Sequence, residues 1–156
     1  MKNAIFDRNI SLEYPDDFYE MSLEEIKKFF GGDILRIGFR NADKHVILSL
    51  GKTNNSFLNL LASPKSVLIG AENSLRSLKD YKLLEEFDTE MLSKRGCGIS
   101  FEYSATDKDV KQYCEMTIVK YKNNFYISYC LSRFDDRKEN ESLFKSFRNS
   151  LKSAQK

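Results

Sequence analysis

Three consecutive stretches, GISFEYSAT (98–106), QYCEMTIVKY (112–121) and FYISYCLSRF (125–134), decide the fold of this chain. In the first, Ile99, Phe101 and Tyr103 alternate with polar residues, which is the period-two pattern of a half-buried strand. A polar segment at 106–111 and the stretch Lys122-Asn123-Asn124 separate the three, and Asn tolerates the left-handed conformation of tight hairpin turns. We therefore predict three antiparallel strands in a meander.

The second of these strands carries apolar side chains on both faces. One face carries Cys114, Met116 and Ile118, and the other carries Tyr113, Thr117, Val119 and Tyr121, so neither face is cleanly polar. A sheet with this composition needs cover on both sides.

The rest of the chain supplies that cover and extends the sheet. Alternating residues predict further strands at 10–14, 34–39, 45–50 and 81–87, and helical spacing predicts helices at 22–30, 64–78 and 143–151. Ser22 and Glu25 have the spacing of a capping box, and Ser63-Pro64 is typical of a helix start. Gly96 and Gly98 are expected at a turn or bulge. We predict one α+β domain over 1–156: an α/β/α sandwich with a central, mostly antiparallel sheet of about six or seven strands and helices on both faces.

The charge balance argues against nucleic acid as a partner. The 25 basic and 23 acidic residues leave a net charge of +2, which is too small for a long-range positive field. Residues 1–30 carry four basic and seven acidic side chains, a sum of −3, whereas residues 137–156 carry six basic and two acidic, a sum of +4. Solvated helix faces explain this asymmetry, and so would a docking surface.

The sequence shows neither a leader nor a membrane span. It has no basic segment followed by an apolar core near its start and no apolar run of bilayer length. Cys97, Cys114 and Cys130 form an odd set, for which free thiols are the default. We expect a cytoplasmic protein, unless a leader was removed.

Familiar catalytic patterns are missing from the sequence. His45 is the one histidine, no cysteine lies near it in the chain, and the scattered cysteines lack the paired spacing of zinc ligands. The glycine-rich phosphate motifs and the serine nucleophile motif are absent as well. Adjacent acids such as Glu85-Glu86 point apart along a strand. We expect no enzyme activity, no cofactor and no metal site.

The element order resembles that of the PsbP-like superfamily, across nearly the whole chain from ISLEYP (10–15) to Leu151. The resemblance is carried by the opening strand closed by Pro15, the helix before YKLLEEF, the strands GISFEYSA, QYCEMTIVKY and KNNFYISY, and the terminal helix with Phe144, Phe147 and Ser150. The family includes a photosystem II subunit, a Ran-binding import factor and bacterial proteins of unassigned function. It has no invariant catalytic or binding motif, so the resemblance implies a non-enzymatic docking domain whose partner is another protein.

Two candidate sites follow, and the sequence leaves the oligomeric state open. The loop with Tyr14, Asp16, Asp17, Phe18 and Tyr19 combines acids and aromatics, as protein interfaces do; alternatively, its aromatic residues only fasten the following helix to the sheet. The basic C-terminal helix is the other docking candidate.

A different hypothesis is a small-molecule or peptide site. It would lie in a pocket between the sheet and the helix 64–78 and would be lined by Tyr103, Tyr113 and Tyr129.

Overall fold

We describe the protein from a computed structural model, which defines residues 1–32, 34–53, 60–105 and 110–154. Its helices are α1 (Leu23–Phe30), α2 (Pro64–Leu75) and α3 (Glu141–Ser150). Its strands are β1 (Lys2–Phe6), β2 (Ile10–Tyr14), β3 (Tyr19–Glu20), β4 (Leu35–Asn41), β5 (Val46–Lys52), β6 (Lys82–Met91), β7 (Lys94–Ser104), β8 (Lys111–Tyr121), β9 (Asn124–Arg133) and β10 (Lys152–Ser153). Among the described helices, none combines the length and apolar character needed to cross a bilayer.

A seven-stranded antiparallel sheet forms the centre of the molecule, in the order β3-β4-β5-β9-β8-β7-β6. The predicted meander is confirmed as β7, β8 and β9, and the pair 34–39 and 45–50 is the β4–β5 hairpin. Lys122 and Asn123 turn the chain between β8 and β9 with φ values of 48° and 62°, the left-handed conformation expected of a tight hairpin. The predicted turn at 106–111 lies mostly outside the described residues.

Helices cover both faces of this sheet, as predicted. On the first face, α2 packs on β7 and β8 and buries Leu68 there, and α1 packs through Ile26 on Ile47 of β5. The second face is covered by α3, whose Phe144 and Phe147 are fully buried. Each large apolar side chain buried in these layers stabilises the fold by about 1.5–3 kcal/mol.

A second, three-stranded sheet shares the α3 side of the molecule, in the order β1-β2-β10. The sequence suggested that residues 10–14 belong to the central sheet, and this is wrong. Here β2 pairs with β1 and β10, while Ile10 and Leu12 point into the core beside α3. The short strand β3, expected as loop, occupies the edge of the central sheet next to β4.

Helix starts follow the predicted chemistry. The side chain of Ser22 accepts a hydrogen bond from the Glu25 amide, and the Glu25 carboxylate accepts one from the Ser22 amide. Ser63 and Ser66 exchange the same pair of bonds before α2, where Pro64 is the first residue. The helix α2 ends at Leu75, three residues earlier than predicted.

Gly96 and Gly98 lie within β7, not at a turn or bulge, which corrects the prediction. The chain instead reverses at Leu92 and Ser93, both with positive φ, and the register irregularity of this hairpin lies between Leu83 and Glu85. A Cβ on Gly96 would stand 2.0 Å from a backbone carbonyl oxygen of β8. Glycine is therefore required here for close packing.

Candidate functional site

The aromatic residues of the loop at 14–19, which we predicted to bind a protein, make contacts within the fold. Phe18 is 2% exposed and belongs to the core. Tyr14 stacks on Phe39, with ring centroids 4.0 Å apart. Tyr19 is 42% exposed, and its hydroxyl donates a hydrogen bond to Glu25. Phe18 thus has no surface to offer a partner. It packs in the cluster on the α3 side of the sheet, whereas α1 packs on the other side through Ile26, so Phe18 does not fasten α1 to the sheet as the alternative interpretation expects.

The two acids of this loop already have cationic neighbours. Asp16 accepts a hydrogen bond from the N-terminal ammonium at 2.9 Å. Asp17 contacts Lys44 Nζ at 2.6 Å and Asn41 Nδ2 at 2.9 Å. The hydrogen bond from Lys44 lowers the pKa of Asp17 below its ordinary value. Pairing reduces the free charge that this loop would present to a partner.

The three tyrosines of the hypothetical ligand pocket do not meet. Tyr103 and Tyr129 pack on the α2 face of the sheet, where burial raises the pKa of Tyr129 to about 12. Tyr113 packs on the α3 face, stacked on Phe144. In the β7–β8 register Tyr113 lies opposite Glu102, so it points away from Tyr103. A single pocket lined by all three is therefore wrong.

Tyr113 instead lines a cleft of about 520 Å³ that we call the α3 cleft. It lies between α3, β6, β8 and the 3-10 turn Phe134–Asp136. Its lining residues are Leu84, Glu85, Phe87, Ser100, Tyr113, Glu115, Phe134, Arg137, Lys138, Glu141, Lys145 and Arg148. The volume falls in the range of ligand-binding pockets, about 300–1,000 Å³.

An almost buried ion pair lies at this cleft. Arg148 Nη1 donates to Glu115 Oε1 at 2.7 Å, and the two side chains are 11% and 10% exposed. The Tyr113 hydroxyl donates to the other carboxylate oxygen at 3.0 Å. Burial, and then the charge of Glu115, raise the pKa of Tyr113, which keeps this phenol protonated. The carboxylate is thus fixed by two donors and is satisfied within the protein.

The rim of the α3 cleft is basic with apolar walls. Arg148 and Glu115 neutralise each other, leaving three cations (Arg137, Lys138, Lys145) and two acids (Glu85, Glu141) among the lining residues, a sum of +1. The Arg137 guanidinium lies 3.8 Å from the centroid of the Phe134 ring. Lys138 and Lys145 are exposed. The cleft can therefore contact an apolar group and a carboxylate at once.

The structure gathers no catalytic set from the candidates in the sequence. His45 lies in the β4–β5 turn. Cys97 lies on β7, which is separated from β5 by β9 and β8 in the sheet. Cys114 and Cys130 are buried free thiols with raised pKa values caused mainly by desolvation. Within the described ranges, no group of three potential ligands is placed to hold a metal ion.

Sequence reasoning identified the basic C-terminal helix but missed the cleft beneath it. One signal was present: Glu115 is a charged residue in the middle of QYCEMTIVKY, a strand that carries large apolar side chains on both faces. A carboxylate at such a position requires a buried cation or donor. Its partner Arg148 follows 33 residues later, and only the position of α3 across β6 and β8 brings the two together.

Comparison with known proteins supports the fold. No protein-family model matches the sequence, and no curated protein sequence matches it either. Cyanobacterial PsbP from Synechocystis superposes with a TM-score of 0.70 at 11% identity, covering 98% of this chain and 92% of that one. The Ran-binding protein Mog1p of Saccharomyces cerevisiae gives 0.58 at 6% identity, covering 96% and 93%. The chain has the fold of PsbP and Mog1p.

LpqN of Mycobacterium tuberculosis, a protein involved in cell envelope biogenesis, shares this PsbP-like fold. Its TM-score is 0.60 at 14% identity, with 94% of this chain and 83% of that chain covered. The resemblance predicted from the sequence is confirmed for the fold. Because one fold serves unrelated functions, function has to be argued from the site.

Proposed function

We propose that this protein is a non-enzymatic docking module that binds a segment of another protein in the α3 cleft. The observation that carries the proposal is the cleft itself, with the exposed Lys138 and Lys145 above the apolar walls Leu84, Phe87 and Phe134. A segment with an acidic residue beside an apolar one fits this arrangement, because the lysines attract the carboxylate and the walls desolvate the apolar side chain.

The fold similarity gives this proposal a precedent. Mog1p, which has the same fold, is named for binding Ran. The Arg148–Glu115 pair adds a rigid floor, since both side chains are held by hydrogen bonds before any partner arrives. A preorganised surface loses less conformational entropy on binding. We also propose a cytoplasmic location, consistent with the three free thiols.

The test compares charge reversals on opposite faces of the molecule. Lys138→Glu/Lys145→Glu reverses the cleft rim, and Lys27→Glu/Lys28→Glu makes the same charge change on exposed positions of α1. Native pull-downs from lysate of the source organism identify proteins retained in stoichiometric amounts. Titration of the purified candidate should then show at least about tenfold weaker binding to the cleft variant, and unchanged binding to the α1 variant.

A third variant separates the two docking candidates. Asp16→Lys/Asp17→Lys reverses the acidic loop and leaves the cleft untouched. Loss of the partner with this variant alone would replace the cleft by the loop as the docking surface. Equal loss with all three variants would indicate nonspecific charge effects and would contradict the proposal.

A second candidate function is the binding of a small anionic molecule in the same cleft. The cleft volume of about 520 Å³ favours it, and the exposed Lys138 and Lys145 supply the cations for an anion. A small anionic molecule that binds in the cleft should raise the Tm of the wild type but not the Tm of the variant Lys138→Glu/Lys145→Glu. A shift of equal size in both proteins would exclude the cleft as the site.

A further inference from the structure

The strand β6 is a long, exposed edge of the central sheet. It has ten residues and is last in the strand order, paired only with β7. Within the described part of the chain, no residue outside β7 forms a backbone hydrogen bond with Lys82–Glu90. The outward-facing amide and carbonyl groups of β6 are therefore available for another strand. The opposite edge, β3, has only two residues.

The usable part of this edge lies beyond the irregularity between Leu83 and Glu85. A bulge disturbs pairing locally and turns the strand away from a new neighbour. From Glu85 to Met91 the register with β7 is continuous, so this segment presents regular strand geometry. Leu84, Glu85 and Phe87 also line the α3 cleft, which makes the edge continuous with the proposed docking site.

Three carboxylates project from this segment on one side. Glu86, Asp88 and Glu90 lie opposite Ile99, Cys97 and Arg95 of β7, on the face that also carries α2. All three are exposed. None of them forms an ion pair with a described residue, in contrast to Asp17, Glu102 and Glu115. Their spacing of two residues matches the side-chain repeat of a strand.

This charge pattern selects the occupant of the edge. A second copy of the chain would place acidic residues near acidic residues across the new strand pair, which is unfavourable. A segment with lysine or arginine at every second position would place a cation beside each carboxylate. Opposite charges across neighbouring strands attract, and the backbone bonds supply the rest of the affinity.

We propose that β6 binds an extended, basic segment of a partner protein as an eighth strand of the central sheet. This inference rests on the proposed docking function and names a second contact of the same partner. The partner would place an acidic and apolar group in the α3 cleft and an adjoining basic strand along Glu85–Glu90.

The test uses the full chain and a designed probe. The probe is a disulfide-closed hairpin peptide whose outer strand alternates lysine and valine, so that the strand is preorganised. One control is the same peptide with N-methyl groups on the outer-strand amides that would face β6. The other control has glutamate in place of each lysine. Protein variants are Glu86→Lys/Asp88→Lys and, as a matched charge change elsewhere, Glu24→Lys/Asp43→Lys.

We expect amide hydrogen exchange to slow at Glu85–Glu90 when the basic peptide binds. The N-methylated and acidic peptides, and the Glu86→Lys/Asp88→Lys variant, should each bind at least about tenfold more weakly. The Glu24→Lys/Asp43→Lys variant should bind as the wild type does. Equal binding of the N-methylated peptide, protection outside β6, or no binding of the basic peptide overturns strand addition.

The two proposals fail separately. If the basic peptide does not bind while the natural partner still depends on Lys138 and Lys145, strand addition is overturned and docking in the cleft stands. If the partner ignores the cleft variant while the peptide protects β6, cleft docking is overturned.

Discussion

The ion pair between Arg148 and Glu115 allows a quantitative prediction about stability. Both side chains are about nine-tenths buried and lie 2.7 Å apart. Arg148→Met removes the cation with little change in volume and leaves the carboxylate with Tyr113 as its donor. Breaking a buried pair costs about 3–5 kcal/mol. Since the pair borders a cleft, we expect the lower end, about 3 kcal/mol, or a decrease in Tm of about 6–12 °C.

A double-mutant cycle gives the sharpest measurement. Glu115→Gln removes the charge but keeps an acceptor for Tyr113, and the double variant Arg148→Met/Glu115→Gln contains neither charge. Replacing both partners by neutral groups is often tolerated. We expect the double variant to be more stable than Arg148→Met alone, with a coupling free energy above about 2 kcal/mol by urea unfolding.

An exposed pair provides the control. Lys44 and Asp17 are 62% and 49% exposed, so Lys44→Met should cost less than about 1 kcal/mol. If Arg148→Met costs no more than Lys44→Met, or if the two single changes at the cleft simply add, the argument from burial is refuted.

Three further outcomes are expected. Gly96→Ala should lower the free energy of unfolding by more than about 2 kcal/mol, because the new Cβ would meet a β8 carbonyl oxygen. Gly70→Ala has open space at the new Cβ and should raise the free energy of unfolding by about 0.5–1 kcal/mol. Urea unfolding of the two variants and the wild type measures both changes. A thiol reagent at pH 8 should modify only Cys97 in the native protein. The reaction should be slow, because burial raises the pKa of the Cys97 thiol. Labelling of Cys114 or Cys130, detected by mass spectrometry, would contradict this prediction. The pKa of Asp17 is lowered in the folded state, so its contribution to stability is present above its ordinary value of 3.8 and is lost as pH falls through the lowered pKa. Asp17→Asn should therefore destabilise the protein slightly at pH 7. A difference in stability that does not shrink as pH falls below 3.8 would contradict the pairing with Lys44.

The sequence was sufficient for the elements whose signals are local. Alternation over 98–134 gave the meander, Lys122 and Asn123 gave its turn, and the serines before α1 and α2 gave the helix starts. Each of these features depends on residues within a few positions of one another, so no knowledge of the tertiary structure was needed.

The predictions that were wrong concern contacts between residues that lie far apart in the sequence. Residues 10–14 alternate as any half-buried strand does, and nothing local indicates that their neighbours are β1 and the two-residue β10. The placement of Tyr113 with Tyr103 was wrong because a one-residue difference in register exchanges the two faces of a strand. The α3 cleft was missed for the same reason, since it requires the strand order and the path of α3.

The three-stranded sheet has a mechanical consequence. Both β1 and β10 run antiparallel to β2, and they flank it on opposite sides. Lys2 lies at the Tyr14 end of β2, whereas Ser153 lies at the Ile10 end. Tension applied through the segments before β1 and after β10 would pull the two strands in opposite directions along β2. The hydrogen bonds of the small sheet would then be loaded in shear, all at once, instead of being opened one by one.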